Sequence, residues 1–174
     1  HAIHFRCYHP DALNMRIDIM SVMRGVDRFD LLWERRTHLA GDDGQHYDLL
    51  SLQDLVRSKK TQRDKDWPMI RRLVEADYVA KETPSDAEAE FWLRESRTPA
   101  MLFNLARSRP EQAEMLIPVR PLLSAACDNN ERGIEAGLQQ EEQLERGADR
   151  AYWEPLRCEL EALRHGEGPF EQEV

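Results

Sequence analysis

The chain has 174 residues, 41% of them hydrophobic and 33% charged, with a formal net charge of −9. That length suits one domain, or one domain with a helical appendage. The composition excludes a low-complexity chain, and no run of about 18 apolar residues offers a membrane span. The first 66 residues carry 11 of the 24 basic and 11 of the 33 acidic side chains, so the acidic excess falls on residues 67–174. An acidic stretch of that kind repels nucleic acid, and contact with RNA or a nucleotide is expected from the neutral front part.

Three cysteines, Cys7, Cys127 and Cys158, lie far apart with no Cys or His at zinc spacing, and read as reduced thiols of a cytoplasmic protein. The chain opens on His1, directly before a strand pattern, which reads as a domain cut from a longer protein. Ile3, Phe5 and Cys7 alternate with polar neighbours at period two until His9-Pro10-Asp11 breaks the run. Met15 to Met23 reads as a second strand, with Ile17 and Ile19 on one face and Arg16, Asp18 and Met20 on the other. Asp27 is a candidate cap for a short helix through Phe29, Leu31, Leu32 and Trp33. Gly41-Asp42-Asp43-Gly44 forms a turn between weak strands, the later one over His46–Leu50.

Ser51 then caps a helix with Asp54 at its third position, and Arg57, Lys59 and Lys60 fall in its last turn, where cations suit the helix dipole. Another helix begins near Asp64, with Pro68 in its first turn and Trp67, Ile70, Leu73 and Val74 at helical spacing. From Ser85, itself a cap, the pattern is helical over 85–96, 98–109, 111–127 and 130–165, with Gly147 and Pro155 as candidate breaks. The four tryptophans, Trp33, Trp67, Trp92 and Trp153, lie on helical stripes and read as core. The expected class is α+β: a small α+β unit at 1–82 and an acidic helical region at 83–174.

Two features carry candidate chemistry. Asp18 sits in an otherwise apolar strand, where a carboxylate is costly to bury unless it is paired or binds a metal; the alternative is a salt bridge to Arg16, Arg6 or Lys60 on a sheet surface. The run from Arg57 to Asp66 packs five cations and two carboxylates into ten residues. Lys59, Lys60, Arg63 and Lys65 suit phosphate, with Asp66 orienting one of them, or they form a solvated charge run between helices. His1, His4 and His9 near Cys7 and Asp11 read as scattered surface histidines, since His4 and Cys7 point to opposite faces of a strand.

The segments RIDIMSV, FDLLWERR, YDLLS and LQDLVRSKKTQRDKDWPMI occur in that order. This order resembles the second half of the bacterial nucleotidyltransferase-fold proteins related to AbiEii-type abortive-infection toxins, over roughly residues 1–78. The resemblance implies part of a nucleotidyltransferase-like mixed sheet. It implies Asp18 as a late catalytic and metal-binding carboxylate. Lys59 or Lys60 would be the helix lysine near the nucleotide phosphates, and Arg63, Lys65 and Asp66 an Arg-x-Lys-Asp element, with Lys60 and Asp66 among the catalytic groups. It also implies Mg²⁺, an NTP, an RNA or protein acceptor and a cognate antitoxin. The family's front signature, a Gly-Ser or Gly-Gly turn followed by Asp-x-Asp, has no counterpart upstream of Asp18, so the chain by itself is expected to be inactive. The reading from a different class is a catalytically inactive binding or regulatory protein whose acidic helices dock a partner.

Overall fold

The structure, a computed structural model, describes residues 2–165. It is α+β, as the sequence predicts, and divides into two compact units, one ending at Ser58 and the other beginning at Lys59.

In the first unit the strand patterns become two separate antiparallel hairpins rather than one mixed sheet. Strand β1 (Ala2–Arg6) pairs with β2 (Arg16–Met20) in a register that sets Ile3 opposite Ile19, His4 opposite Asp18 and Phe5 opposite Ile17. Side chains alternate across a strand, so one face is apolar and the other holds His4, Arg16 and Asp18. The ladder extends through Cys7 N–H to the Met15 carbonyl, 2.8 Å, and turns back at Asn14, whose φ of 65° suits a residue that tolerates the left-handed region. Helix α1 (Phe29–Glu34) follows, then β3 (Thr37–Ala40) paired with β4 (His46–Leu49) across the expected Gly41–Gly44 turn, and α2 (Leu52–Ser58).

Ser51 caps α2 as expected: its Oγ accepts the Asp54 N–H at 3.2 Å and donates to Asp54 Oδ2 at 2.6 Å. Asp27 does not cap α1, whose cap position is Arg28 with no side-chain bond. Asp27 is drawn instead to Arg35, whose guanidinium also forks onto Asp54 at 2.6 and 2.8 Å. Helix α2 stops at Ser58, so Lys59 and Lys60 lie past its last turn rather than in it.

The second unit is built from α3 (Asp66–Val79), α4 (Asp86–Glu95), α5 (Pro99–Ser108), α6 (Pro110–Leu116), α7 (Leu122–Cys127) and α8 (Glu131–Arg164). Pro99 and Pro110 open their helices at the first position, where a missing N–H is harmless. Pro118 and Pro121 explain why the helix expected over 111–127 is two helices. Helix α8 runs unbroken through Gly147 and Pro155. Ser85 and Glu88 form a reciprocal capping box on α4.

Helix α3 belongs with this unit because Trp92 Nε1 donates to Asp77 Oδ2 at 2.8 Å and the Trp92 ring meets Tyr78 edge-on. The boundary falls at Ser58, earlier than the change to a wholly helical pattern near residue 82 suggests. The core comprises Ile70, Val74, Trp92, Leu93, Leu102, Leu123 and Ile134, all essentially inaccessible to solvent. Buried Arg120 ties it together. Its guanidinium forks onto Glu141 of α8 at 3.0 Å twice and donates to the Leu93 and Ser96 carbonyls at the end of α4, at 2.7 and 2.8 Å. Helices α7 and α8 approach so closely that a Cβ on Gly137 would lie 2.6 Å from Leu122 Cβ. Among the described residues, no helix is long and apolar enough to cross a membrane.

Candidate functional site

The residues singled out in the sequence fall into both units. Asp18 stands on the polar face of the first hairpin. Its Oδ1 lies 2.6 Å from His4 Nδ1 and accepts from Arg16 Nε at 2.7 Å. The hydrogen bonds from Arg16, and then from His4, hold its carboxyl below the ordinary range, so it is a firmly ionised, solvent-facing group. This is the surface pairing with Arg16 that the strand pattern allows as an alternative. Among the described residues, no three His, Cys, Asp or Glu side chains gather where they could hold a metal ion. A lone carboxylate bonded to a guanidinium and an imidazole does not fit a magnesium site that bridges paired carboxylates.

The charged run 59–65 is a loop in the second unit, Asp66 opens α3, and much of their charge holds that unit together. Lys60 Nζ pairs with Glu95 at 2.7 Å. Asp66 is buried; its Oδ2 accepts from Thr61 Oγ1 at 2.6 Å, while its Oδ1 has no hydrogen bond and faces Lys59 Nζ at 3.5 Å. The Thr61 carbonyl accepts from Trp67 Nε1 at 2.9 Å. Gln62 N–H donates to buried Asp149 of α8 at 2.9 Å, and Arg146 of α8 donates to the Gln62 carbonyl and to Asp64 at 2.8 and 2.7 Å. The Arg97 and Arg146 guanidiniums lie over the Trp67 ring at 4.9 and 5.8 Å. The structure thus brings Lys59 and Asp66 together and turns Lys60 toward Glu95. Arg63 and Lys65 are exposed, with no ion-pair partner among the described residues.

A concave site with a mainly apolar wall lies elsewhere, in the first unit. A cavity of about 240 Å³ is walled mainly by Met20, Val22, Phe29, Leu32, Trp33 and Leu49, with Asp27, Arg36 and Asp48 on its lining. Its charged side is already ordered. Arg36 donates to Asp48 Oδ1 at 2.9 Å and to the Trp33 carbonyl at 2.6 Å, and its guanidinium lies 4.0 Å from the centre of the Trp33 ring. His38 Nδ1 reaches the same Asp48 oxygen at 2.7 Å. Phe29 stacks on Trp33 at 5.6 Å.

Of the four tryptophans whose helical spacing predicts core, Trp67 and Trp92 are buried, Trp153 is half-buried, and Trp33 is 45% exposed on this wall. The signal for the cavity was present in the sequence: Met20, Val22, Met23 and Val26 continue an apolar run past the end of the strand, where a solvated loop would be polar. The chain matches no protein-family model, no curated protein and no solved structure.

Proposed function

We propose that this protein is an interaction module whose α+β unit takes an apolar side chain of a partner polypeptide into the cavity between the ends of β2, α1 and β4. The observation that carries the reading is the cavity itself: an apolar wall bounded by a pre-ordered Arg36–Asp48 pair. Apolar walls with few, fixed polar groups are the common form of a binding site. The adjoining strands supply the means to hold an extended chain. Each hairpin has only two strands, so β2 and β4 both have an open edge, and Met20 and Leu49 carry those edges to the cavity. Strand addition uses such edges for affinity and a neighbouring pocket for selectivity.

The test is a selection of displayed random peptides against the protein and, in parallel, against Val22→Asp. Val22 is 54% exposed, so the substitution leaves the fold intact while placing a charge on the wall. Enrichment of peptides with a shared apolar residue by the unsubstituted protein alone supports the reading. Equal enrichment by both, or none by either, refutes it.

The resemblance to nucleotidyltransferases supplies a second reading, transfer of a nucleotide from an Mg²⁺-bound NTP after completion by further sequence. The exposed cations Arg63 and Lys65 favour it, since they suit a phosphate. Calorimetric titration with Mg-ATP tests the phosphate role of these two cations: heat of binding that disappears in Arg63→Glu/Lys65→Glu supports it, and no heat, or heat unchanged by the substitutions, removes it.

A further inference from the structure

Helix α8 presents one continuous stripe that changes its role along its length. As far as Asp149 the stripe is turned inward, with Ile134, Leu138 and Asp149 buried against the protein's own second unit. Beyond Asp149 the stripe continues as Trp153, Leu156, Leu160 and Leu163, at spacings of three, four and three residues. That is the a/d spacing of a coiled-coil seam. Nothing in the described chain covers its end, where Leu160 and Leu163 are 46% and 43% exposed.

The flanking charges specify the occupant. With Trp153 and Leu160 at a and Leu156 and Leu163 at d, the e positions beside the bare seam are Arg157 and Arg164 and the g positions are Tyr152 and Glu159. In a parallel pair each g residue faces the e residue five positions later on the other helix. Glu159 then meets Arg164 of the second copy, and the Tyr152 ring meets the Arg157 guanidinium, twice over by symmetry. In an antiparallel pair e faces e, which would set Arg157 and Arg164 against each other.

We propose that the exposed second half of α8 is a homodimerisation seam, closed by a second copy of this chain running parallel. Two heptads make a short seam, so association is weak and depends on concentration and salt. The surface is distinct from the cavity of the first unit, and neither reading requires the other.

Sedimentation velocity on the full chain over a wide dilution series tests it. The expected result is a monomer–dimer equilibrium that Leu160→Asp abolishes, with an unchanged melting curve at low concentration because Leu160 is half-exposed. Glu159→Arg is expected to lose the dimer and Glu159→Arg/Arg164→Glu to regain it. With Cys7, Cys127 and Cys158 replaced by serine, Leu160→Cys is expected to give an oxidised dimer linked at position 160, as only the parallel arrangement sets that position against itself. A monomer at every concentration, a dimer indifferent to Leu160→Asp, or a failure of the charge swap to restore association would overturn the proposal.

Discussion

In residues 59–165 six helices close their apolar faces on one another, the end of α8 excepted; in residues 2–58 two amphipathic hairpins leave theirs in water. Leu32 and Val56 are the buried apolar side chains described in the first unit, while Ile3, Phe5, Ile17 and Ile19 line a hairpin face with each residue about half exposed. A strand pattern is enough to make a hairpin, but a two-stranded hairpin cannot bury its own face. Polar contacts do much of the work there, through Arg35 on Asp27 and Asp54, whereas in the helical unit Arg120 reinforces a core that already exists. The difference teaches that the same period-two or period-3.6 signal can mean a finished core or a surface still requiring a partner.

The comparison can be broken most forcefully at Arg120. Arg120→Ala leaves the Leu93 and Ser96 carbonyls without their donor and Glu141 with Arg97 as its remaining partner, and each buried acceptor left unpaired costs about 1–3 kcal/mol. Chemical denaturation followed by circular dichroism is expected to show that loss; a change under about 1 kcal/mol would mean the pair is dispensable.

The matching change in the first unit, Asp54→Ala, removes both the fork to Arg35 and the bond to Ser51. About 2 kcal/mol is expected, because Arg35 is partly solvated. The loss should appear in hydrogen exchange of α2 while the amides of α4 and α5 keep their protection. Burial pushes the Asp54 carboxyl up, but hydrogen bonds from Arg35 and then Ser51 outweigh it and hold the group below the ordinary range. Its contribution is therefore present above the ordinary carboxylate range and lost as the pH falls through the lowered value.

Smaller effects sharpen the contrast. Ser85→Ala and Ser51→Ala each remove a cap worth about 1 kcal/mol, the first felt in global unfolding and the second in local exchange of α2. At the capping box, hydrogen bonds from Lys81 and from Ser85 depress the Glu88 carboxyl from 4.5 to about 2. A depressed carboxylate stabilises the fold above its unfolded value and ceases to do so on protonation. Stability from this group should fall between about pH 4.5 and 2, and Glu88→Gln should flatten that part of the acid-unfolding profile.

Much of the secondary structure is legible in the sequence. The first hairpin follows from the alternation about Ile3–Cys7 and Met15–Met20, the second from the Gly41–Gly44 turn, and the caps at Ser51 and Ser85 from residue type alone. The end of α2, the division at Ser58 and the continuity of α8 through Pro155 are not, because tertiary contacts decide them. Gln62 and Asp64 are latched onto α8, and that contact makes the charged run a structural loop. Of the candidate site residues, Asp18 keeps Arg16, the partner the strand pattern offers, and adds His4 from the facing strand, while Lys60 pairs with Glu95, distant in sequence. The cavity at Trp33 depends on three elements meeting, and period alone cannot distinguish a wall from a core.

One matched pair of substitutions tests the contrast most directly. Ile70 of α3 is fully buried and Ile19 of β2 is 55% exposed. Equilibrium denaturation of the full chain should show Ile70→Ala costing about 2–5 kcal/mol and Ile19→Ala less than about 0.5 kcal/mol. A loss at Ile19 equal to that at Ile70 would contradict the account, because it would mean that the hairpin face is already covered.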